Sequence, residues 1–96
     1  MEVLVVYDVN TESAAGRRRL RRVAQVCQAY GQRVQKSVFE CVINEAQYEL
    51  LKRDLWKEVN EMADSLRIYR LREPHERFTW LAGIQPGIDI RKPLVL

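Results

Sequence analysis

The stretch EVLVVYD, residues 2–8, decides the fold class of this 96-residue chain. Between its two acidic ends every residue is apolar or aromatic, and three of the five are valines. A short run of this kind, followed by the polar segment VNTES, is typical of a central β-strand that is buried on both faces. The chain is therefore expected to build a sheet around its own N-terminus.

Helical and extended patterns alternate after this strand. Thr11 or Ser13 can cap a helix that runs to about Tyr30, and Gly31 is a natural stop. The pattern then predicts two paired strands, or one kinked strand, over 33–44 with a bend at 35–37, a helix from about Glu45 to Ala63, and a strand at LRIYRLRE, 66–73. The buried stripe of the second helix is predicted as Tyr48, Leu51, Leu55, Val59 and Met62.

This order predicts an α+β ferredoxin-like βαββαβ sandwich, with one sheet and both helices on one of its faces. The length fits a single domain over 1–96, with a core over 1–72 and an extended tail over 73–96. Within the tail, FTWLAG at 78–83 is a candidate for an extra C-terminal strand.

The second face of the sheet needs a cover, because the first strand is apolar on both sides. Alternation places Val3, Val5 and Tyr7 on one face and Leu4 and Val6 on the other. The simplest cover for the face that the helices leave open is the same sheet of a second copy. We therefore expect a sheet-to-sheet homodimer, with the tail packing on the partner subunit.

The basic residues are concentrated in one part of the chain. The net charge is only +3, yet the segment from Ser13 to Phe39 contains no acidic residue. Its cations are Arg17, Arg18, Arg19, Arg21, Arg22, Arg33 and Lys36. Such a concentration favours a surface that binds a polyanion, and arginine suits forked contacts to phosphate.

Asp8 ends the first strand on the face assigned to the dimer, since it shares parity with Leu4 and Val6. One interpretation is structural: the carboxylate caps the next loop or forms an Asx-turn. The other is functional. If both copies of Asp8 met near a two-fold axis, the repelling carboxylates would need a cation between them, and Mg²⁺ suits such a site. A metal-dependent phosphodiesterase would follow.

Composition argues against several other classes. No apolar run is long enough to span a bilayer and no signal peptide is visible, so we expect a cytoplasmic protein with no membrane partner. Cys27 and Cys41 lack the spacing of a zinc site and are predicted to be reduced packing residues. An RNA-recognition module would need more aromatic residues on its strands, and a regulatory domain would need a glycine-rich phosphate loop.

Three stretches resemble the CRISPR-associated protein two family. They are VVYDV at 5–9, RLRRVAQVCQAYGQRVQKSVFEC at 19–41 and DSLRIYRL at 64–71. The resemblance implies ferredoxin-like homodimers with facing sheets and exchanged C-terminal strands. It implies that Asp8 is the catalytic residue and Mg²⁺ ligand of an endonuclease that cuts single-stranded RNA, double-stranded DNA or both.

The same resemblance implies a second, non-catalytic role. The family dimer also serves in spacer acquisition as a scaffold that binds DNA and bridges two copies of a larger integrase subunit, a role in which the aspartate is dispensable. Residue by residue, the resemblance assigns substrate contacts to Arg17 and Arg19. It places Arg33 and Lys36 beside an active cleft that includes Ser37, and Tyr7 and Phe39 are either part of that cleft or core residues.

Overall fold

The structure, a computed structural model, describes residues 1–85. Its strands are β1 (Glu2–Asp8), β2 (Gln32–Gln35), β3 (Val38–Val42) and β4 (Ser65–Arg70), its helices are α1 (Ala14–Tyr30) and α2 (Glu45–Glu58), and a 3₁₀ turn follows at His75–Phe78. The four strands form one sheet in the order β2-β3-β1-β4, and every neighbouring pair is antiparallel. The predicted ferredoxin-like α+β fold is confirmed.

The strand alternation predicted for β1 is also confirmed. Val3, Val5 and Tyr7 are buried, whereas Leu4 and Val6 are only half-buried. The buried set packs in one core with residues of β3 and of both helices: Phe39, Cys41, Val23, Cys27, Leu51 and Leu55. Both helices therefore cover one face of the sheet, the helix face; the opposite face is the open face.

Both cysteines are free and buried, as predicted. Burial raises the pKa of the Cys27 thiol to about 12 and that of the Cys41 thiol to about 11. Thiols with such pKa values carry almost no thiolate at neutral pH, so they are poor nucleophiles and metal ligands.

The first helix begins and ends as the sequence predicts, but for a different reason at its end. Ser13 caps it by accepting a hydrogen bond from the Gly16 N–H at 3.0 Å. Gly31 ends it with an extended backbone, φ −162°, rather than the left-handed one that favours glycine. A Cβ there would lie 2.3 Å from the Glu40 carbonyl oxygen, so glycine is required by the close approach of β3.

The predicted end of the second helix is wrong. Helix α2 stops at Glu58, and Met62, placed in its buried stripe, is 90% exposed. Asn60 explains the stop, because its side chain accepts a hydrogen bond from the Met62 N–H and its carbonyl accepts one from the Asp64 N–H. These bonds form a turn in place of the last helical turn.

No strand forms at FTWLAG. Phe78 completes the 3₁₀ turn, and the Thr79 hydroxyl donates to the His75 carbonyl at 2.6 Å, which closes the turn instead of extending the chain. Residues 79–85 pair with none of the four strands. The tail was also predicted to pack on the partner subunit, and its residues 86–96 lie outside the described residues. Within 1–85, neither helix is long and apolar enough to cross a bilayer.

Candidate active site

Asp8 is the last residue of the central strand β1 and pairs with Ser65 of β4. Its side chain is exposed and, by alternation, belongs to the open face with Leu4 and Val6. Among residues 1–85, no group donates a hydrogen bond to its carboxylate or forms an ion pair with it. The carboxylate is therefore available to a ligand.

The structural interpretation of Asp8 is wrong, because other residues form the Asx-turn and the helix cap. Asn10 forms the Asx-turn, with its Oδ1 accepting from the Glu12 N–H at 2.9 Å, and Ser13 caps the helix. Gly16 lets the loop lie directly on the helix, since a Cβ there would meet the Asn10 carbonyl oxygen at 1.9 Å. The loop after Asp8 is held without any contribution from its side chain.

Asp64 is the structural anchor of this region, and its role was not predicted. Its side chain is fully buried and accepts two hydrogen bonds from the Arg19 guanidinium, at 2.9 and 3.2 Å. It also accepts from the backbone N–H groups of Asn10 and Asn60, at 3.0 and 2.8 Å. The bond to Arg19, together with these N–H donors, lowers the pKa of the Asp64 carboxyl to about 2 despite the opposing effect of burial.

The two loops that Asp64 joins form the walls of an open cleft of about 570 Å³. It is lined by Asp8, Val9, Asn10, Thr11, Glu12, Glu61, Met62, Ala63, Asp64 and Ser65. Arg17 lies at its rim, since its Nη1 donates to the Thr11 carbonyl at 3.2 Å. The cleft thus places exposed carboxylates beside an arginine, an arrangement that suits a cation and a phosphate together.

The turn between β2 and β3 lies beside the end of β1. The Tyr7 N–H donates to the Ser37 carbonyl at 3.1 Å, and the Tyr7 hydroxyl donates to the Lys36 carbonyl at 3.5 Å. Lys36 is exposed and Ser37 is half-buried. The structure therefore brings these two predicted residues next to Asp8.

Tyr7 and Phe39 lie in the core, which decides between the two positions expected for them. They are 4% and 0% exposed, and their rings stack with centroids 6.3 Å apart. The reason is strand parity, which turns Tyr7 to the helix face when Asp8 faces the other way. Arg33 packs with them, its guanidinium carbon 5.1 Å from the centroid of the Phe39 ring.

The remaining predicted arginines lie on α1. Arg18 and Arg22 are exposed, and Arg22 lines a groove between α1 and α2 rather than the Asp8 cleft. Arg19 is the exception, because its Nε and Nη2 are occupied by Asp64. The basic surface therefore extends from the cleft rim at Arg17 along the outside of the first helix.

One copy of the chain offers a single free carboxylate at the end of β1. Within the described range, Asp8 belongs to no group of three residues whose ligand atoms converge. Mg²⁺ commonly binds one or two carboxylates and completes its octahedron with waters and phosphate oxygens, so Asp8 fits that ion as a partial ligand set.

Comparison with known proteins agrees with this fold. The family model described as CRISPR associated protein Cas2 matches residues 1–77. The chain is 57% identical over 96 residues to CRISPR-associated endoribonuclease Cas2 1 of Moorella thermoacetica, with both chains fully covered. It is 48% identical over 95 residues to CRISPR-associated endonuclease Cas2 of Halalkalibacterium halodurans, with 99% of each covered.

A solved structure supports the same relationship. The crystal structure of Streptococcus pyogenes Cas2 at pH 6.5 superposes with a TM-score of 0.79 at 49% identity, covering 86% of this chain and 100% of that one. A match of this extent in sequence and in structure leaves one conclusion: the chain belongs to the CRISPR-associated Cas2 family.

Proposed function

We propose that this protein is a homodimeric, Mg²⁺-dependent endonuclease of a CRISPR system, in which Asp8 of each subunit binds the metal. One observation carries the proposal. Asp8 is an exposed carboxylate that forms no hydrogen bond or ion pair within 1–85, while the side chains of Asn10, Ser13 and Asp64 form the hydrogen bonds that hold the loop beside it. The curated relatives named endoribonuclease and endonuclease give the reaction class.

The residues around Asp8 have complementary roles in this reaction. Arg17 and Lys36 flank the strand end and would bind the phosphates on either side of the scissile bond. When bound, Mg²⁺ supplies charge stabilisation at the phosphoryl oxygen and a more acidic water. Arg19 acts indirectly, since it holds Asp64 and hence the loop that follows Asp8.

The reaction itself is tested with the wild-type protein on single-stranded RNA and on duplex DNA, each with and without Mg²⁺. We expect cleavage of at least one substrate that stops on addition of EDTA and returns with excess Mg²⁺. Cleavage that persists unchanged in EDTA would contradict the metal-dependent mechanism.

The dimer rests on the open face. Leu4 and Val6 are half-buried there without a helix above them, and the neighbouring Val42 and Tyr69 are 72% and 45% exposed. A second sheet placed on this face would bury these side chains and bring the ends of two β1 strands towards one axis. Multi-angle light scattering at micromolar concentration should give twice the 11.3 kDa chain mass; a monomer would reject the shared site.

A second candidate function is favoured by the position of the helix arginines. Arg18 and Arg22 are exposed on α1 and do not line the Asp8 cleft, so they provide a basic surface that does not depend on the carboxylate. A scaffold that binds duplex DNA and bridges integrase subunits in spacer acquisition would use this surface without catalysis.

Charge reversal on α1 tests the DNA-binding surface. Arg18→Glu/Arg22→Glu should weaken binding to duplex DNA of any sequence by about tenfold or more at physiological salt, because both side chains are free to contact phosphate. The slope of log K against log salt should become shallower by about 2. Fluorescence anisotropy measures both quantities.

The matched control is Arg53→Glu/Lys57→Glu, which makes the same change in charge on α2. It should have a much smaller effect on affinity, since electrostatic attraction at long range is screened by salt. Equal loss in both double variants would mean that only net charge matters and that α1 is not the binding surface.

A further inference from the structure

A second cluster of ionisable side chains lies at the other end of β1. It consists of Glu2 on β1, Glu40 on β3, and His75 and Glu76 at the start of the 3₁₀ turn. Glu2 and Asp8 are six positions apart along an extended strand, which is about 20 Å. The cluster is therefore distinct from the candidate active site, and its behaviour does not depend on the proposed nuclease activity.

One carboxylate fixes the orientation of the imidazole. The backbone N–H of His75 donates to Glu2 Oε1 at 2.9 Å, and the ring Nδ1 bonds to the same oxygen. Both side chains are only 13% exposed. Because Nδ1 carries the hydrogen in this bond, a neutral ring presents the lone pair of Nε2 on its other side.

Two further carboxylates face that lone pair. The Nε2 atom lies 3.3 Å from Glu40 Oε1 and 3.8 Å from Glu76 Oε1. The ligand atoms of Glu2, His75 and Glu76 all lie within 4.8 Å of one another. A lone pair opposed by two negative oxygens is unfavourable unless a proton or a metal cation lies between them.

A single proton compensates this cluster only in part. Three carboxylates around one imidazolium still leave a charge of −2. Two cations of the described segment around the turn are engaged elsewhere, since the N-terminal amine pairs with Glu73 at 3.2 Å and the Arg72 guanidinium stacks on the Phe78 ring at 4.7 Å. A divalent cation that replaces the proton would reduce the net charge of the cluster from −2 to −1.

We propose that His75 Nε2 and Glu76, two members of that converging group, bind a divalent transition-metal cation of the Zn²⁺ class, with Glu40 moving in from its place 3.3 Å from Nε2 as a third ligand and Glu2 orienting the ring through Nδ1. A carboxylate bonded to the far nitrogen of a metal-binding imidazole is a recurring arrangement that fixes the tautomer and increases ligand basicity. An imidazole ligand favours Zn²⁺ over Mg²⁺. Glu76 is 66% exposed, so it can rotate to complete the site.

The bound ion joins three parts of the fold. Through Glu40 and His75 it connects β3 to the 3₁₀ turn, and through Glu2 it connects both to β1. The site therefore fixes the path of the chain as it crosses the open face after β4. Its role is structural, since it holds the segment that leads into the C-terminal tail.

Calorimetric titration of the tag-free wild-type protein with Zn²⁺ tests the site. We expect one site per chain, and affinity that falls about tenfold per pH unit below the pKa of His75, because the metal displaces a proton. His75 is the chain's only histidine, so its ring nitrogens give an unambiguous ¹⁵N spectrum. Zn²⁺ should shift the Nε2 resonance in that spectrum.

Variants separate this site from other metal-binding groups. His75→Asn keeps an amide donor for Glu2 but lacks Nε2, and Glu76→Gln removes one ligand; each should weaken Zn²⁺ binding at least tenfold. Glu58→Gln on α2 and Asp8→Ala should both retain wild-type affinity. Loss of binding in Asp8→Ala would place the ion at the strand end and overturn the proposal.

The proton alternative gives a different result. If the cluster only holds an imidazolium, the ring titrates with a pKa raised by the bond to Glu2 and by the charges of Glu40 and Glu76, which outweigh the lowering effect of burial. In that case Zn²⁺ leaves the ring spectrum unchanged at every pH, and the metal site is rejected.

Discussion

Asp8→Asn is expected to lower the rate constant for Mg²⁺-dependent cleavage by about a hundredfold or more. The amide has the size of the carboxylate but no charge, so it loses the metal without disturbing the loop. A loss of this size is typical when a group that stabilises charge in the transition state is removed. Single-turnover cleavage of RNA and of duplex DNA measures the effect.

The fold should be unaffected by this substitution. Asp8 is exposed and makes no bond within 1–85, so the free energy of unfolding should change by less than about 0.5 kcal/mol. Glu49→Gln, an exposed carboxyl-to-amide change on α2, is the matched control and should cleave at the wild-type rate. Equal cleavage by wild type and Asp8→Asn would locate the activity in another centre or in a contaminant.

Mixed dimers distinguish a shared metal from two separate ones. If both copies of Asp8 bind one ion, a dimer with a single Asp8→Asn subunit should lose most of its activity. If each copy of Asp8 binds its own ion and acts alone, the mixed dimer should retain about half of the wild-type activity.

Among substitutions in the candidate site, Asp64→Ala is expected to cause the largest decrease in the free energy of unfolding. The substitution removes the acceptor of two Arg19 bonds and two backbone N–H bonds from a fully buried position. Leaving a guanidinium and two N–H groups without this partner should cost about 2–4 kcal/mol. For a domain of this size the melting temperature should fall by about 10–20 °C, measured by calorimetry.

The dependence of stability on pH identifies the same carboxylate. The pKa of Asp64 falls from 3.8 to about 2 on folding, so the folded protein binds fewer protons than the unfolded chain in that interval. Its contribution to stability is therefore complete above about pH 4 and is lost as the pH falls towards 2. Other carboxylates with lowered pKa values, Glu2 and Asp54, contribute in the same direction.

Asp64→Asn isolates the contribution of this group. It retains one oxygen acceptor but no charge, so the difference in unfolding free energy between wild type and variant should shrink as the pH drops from 4 to 2. Glu61→Gln, an exposed change in the same loop, is the control. A difference that stays constant over this range would show that the Asp64 charge does not stabilise the fold.

Local patterns predicted the parts of the structure that depend on neighbouring residues in the chain. The alternation of β1 gave its two faces, because successive side chains of a strand point in opposite directions. Ser13 marked the start of α1, because a cap bonds to N–H groups only three residues ahead. The position of Asp8 at the end of the strand identified it as a candidate, parity placed its side chain opposite Tyr7, and the family resemblance in VVYDV agrees with both.

Contacts between distant residues were not predicted. Arg19 and Asp64 are 45 positions apart, and among its neighbours in the sequence Arg19 resembles any other free cation of a basic helix. Met62 continued the helical spacing of α2, yet the bonds of Asn60 end that helix one turn earlier. Neither outcome has a signal in local periodicity.

The sequence by itself determined the sheet, its helix face and the position of Asp8 at the end of the central strand, since these follow from side-chain period and capping over a few residues. The tertiary structure alone decided which charges are free. Arg17 and Lys36 lie beside Asp8, Arg19 is bound to a buried carboxylate, and His75 meets Glu2 and Glu40 from 73 and 35 residues away. Whether a charged side chain binds a ligand or stabilises the fold depends on which groups the folded chain places next to it. Hydrogen bonds and ion pairs between residues so far apart in the sequence form only when the sheet has brought their elements together.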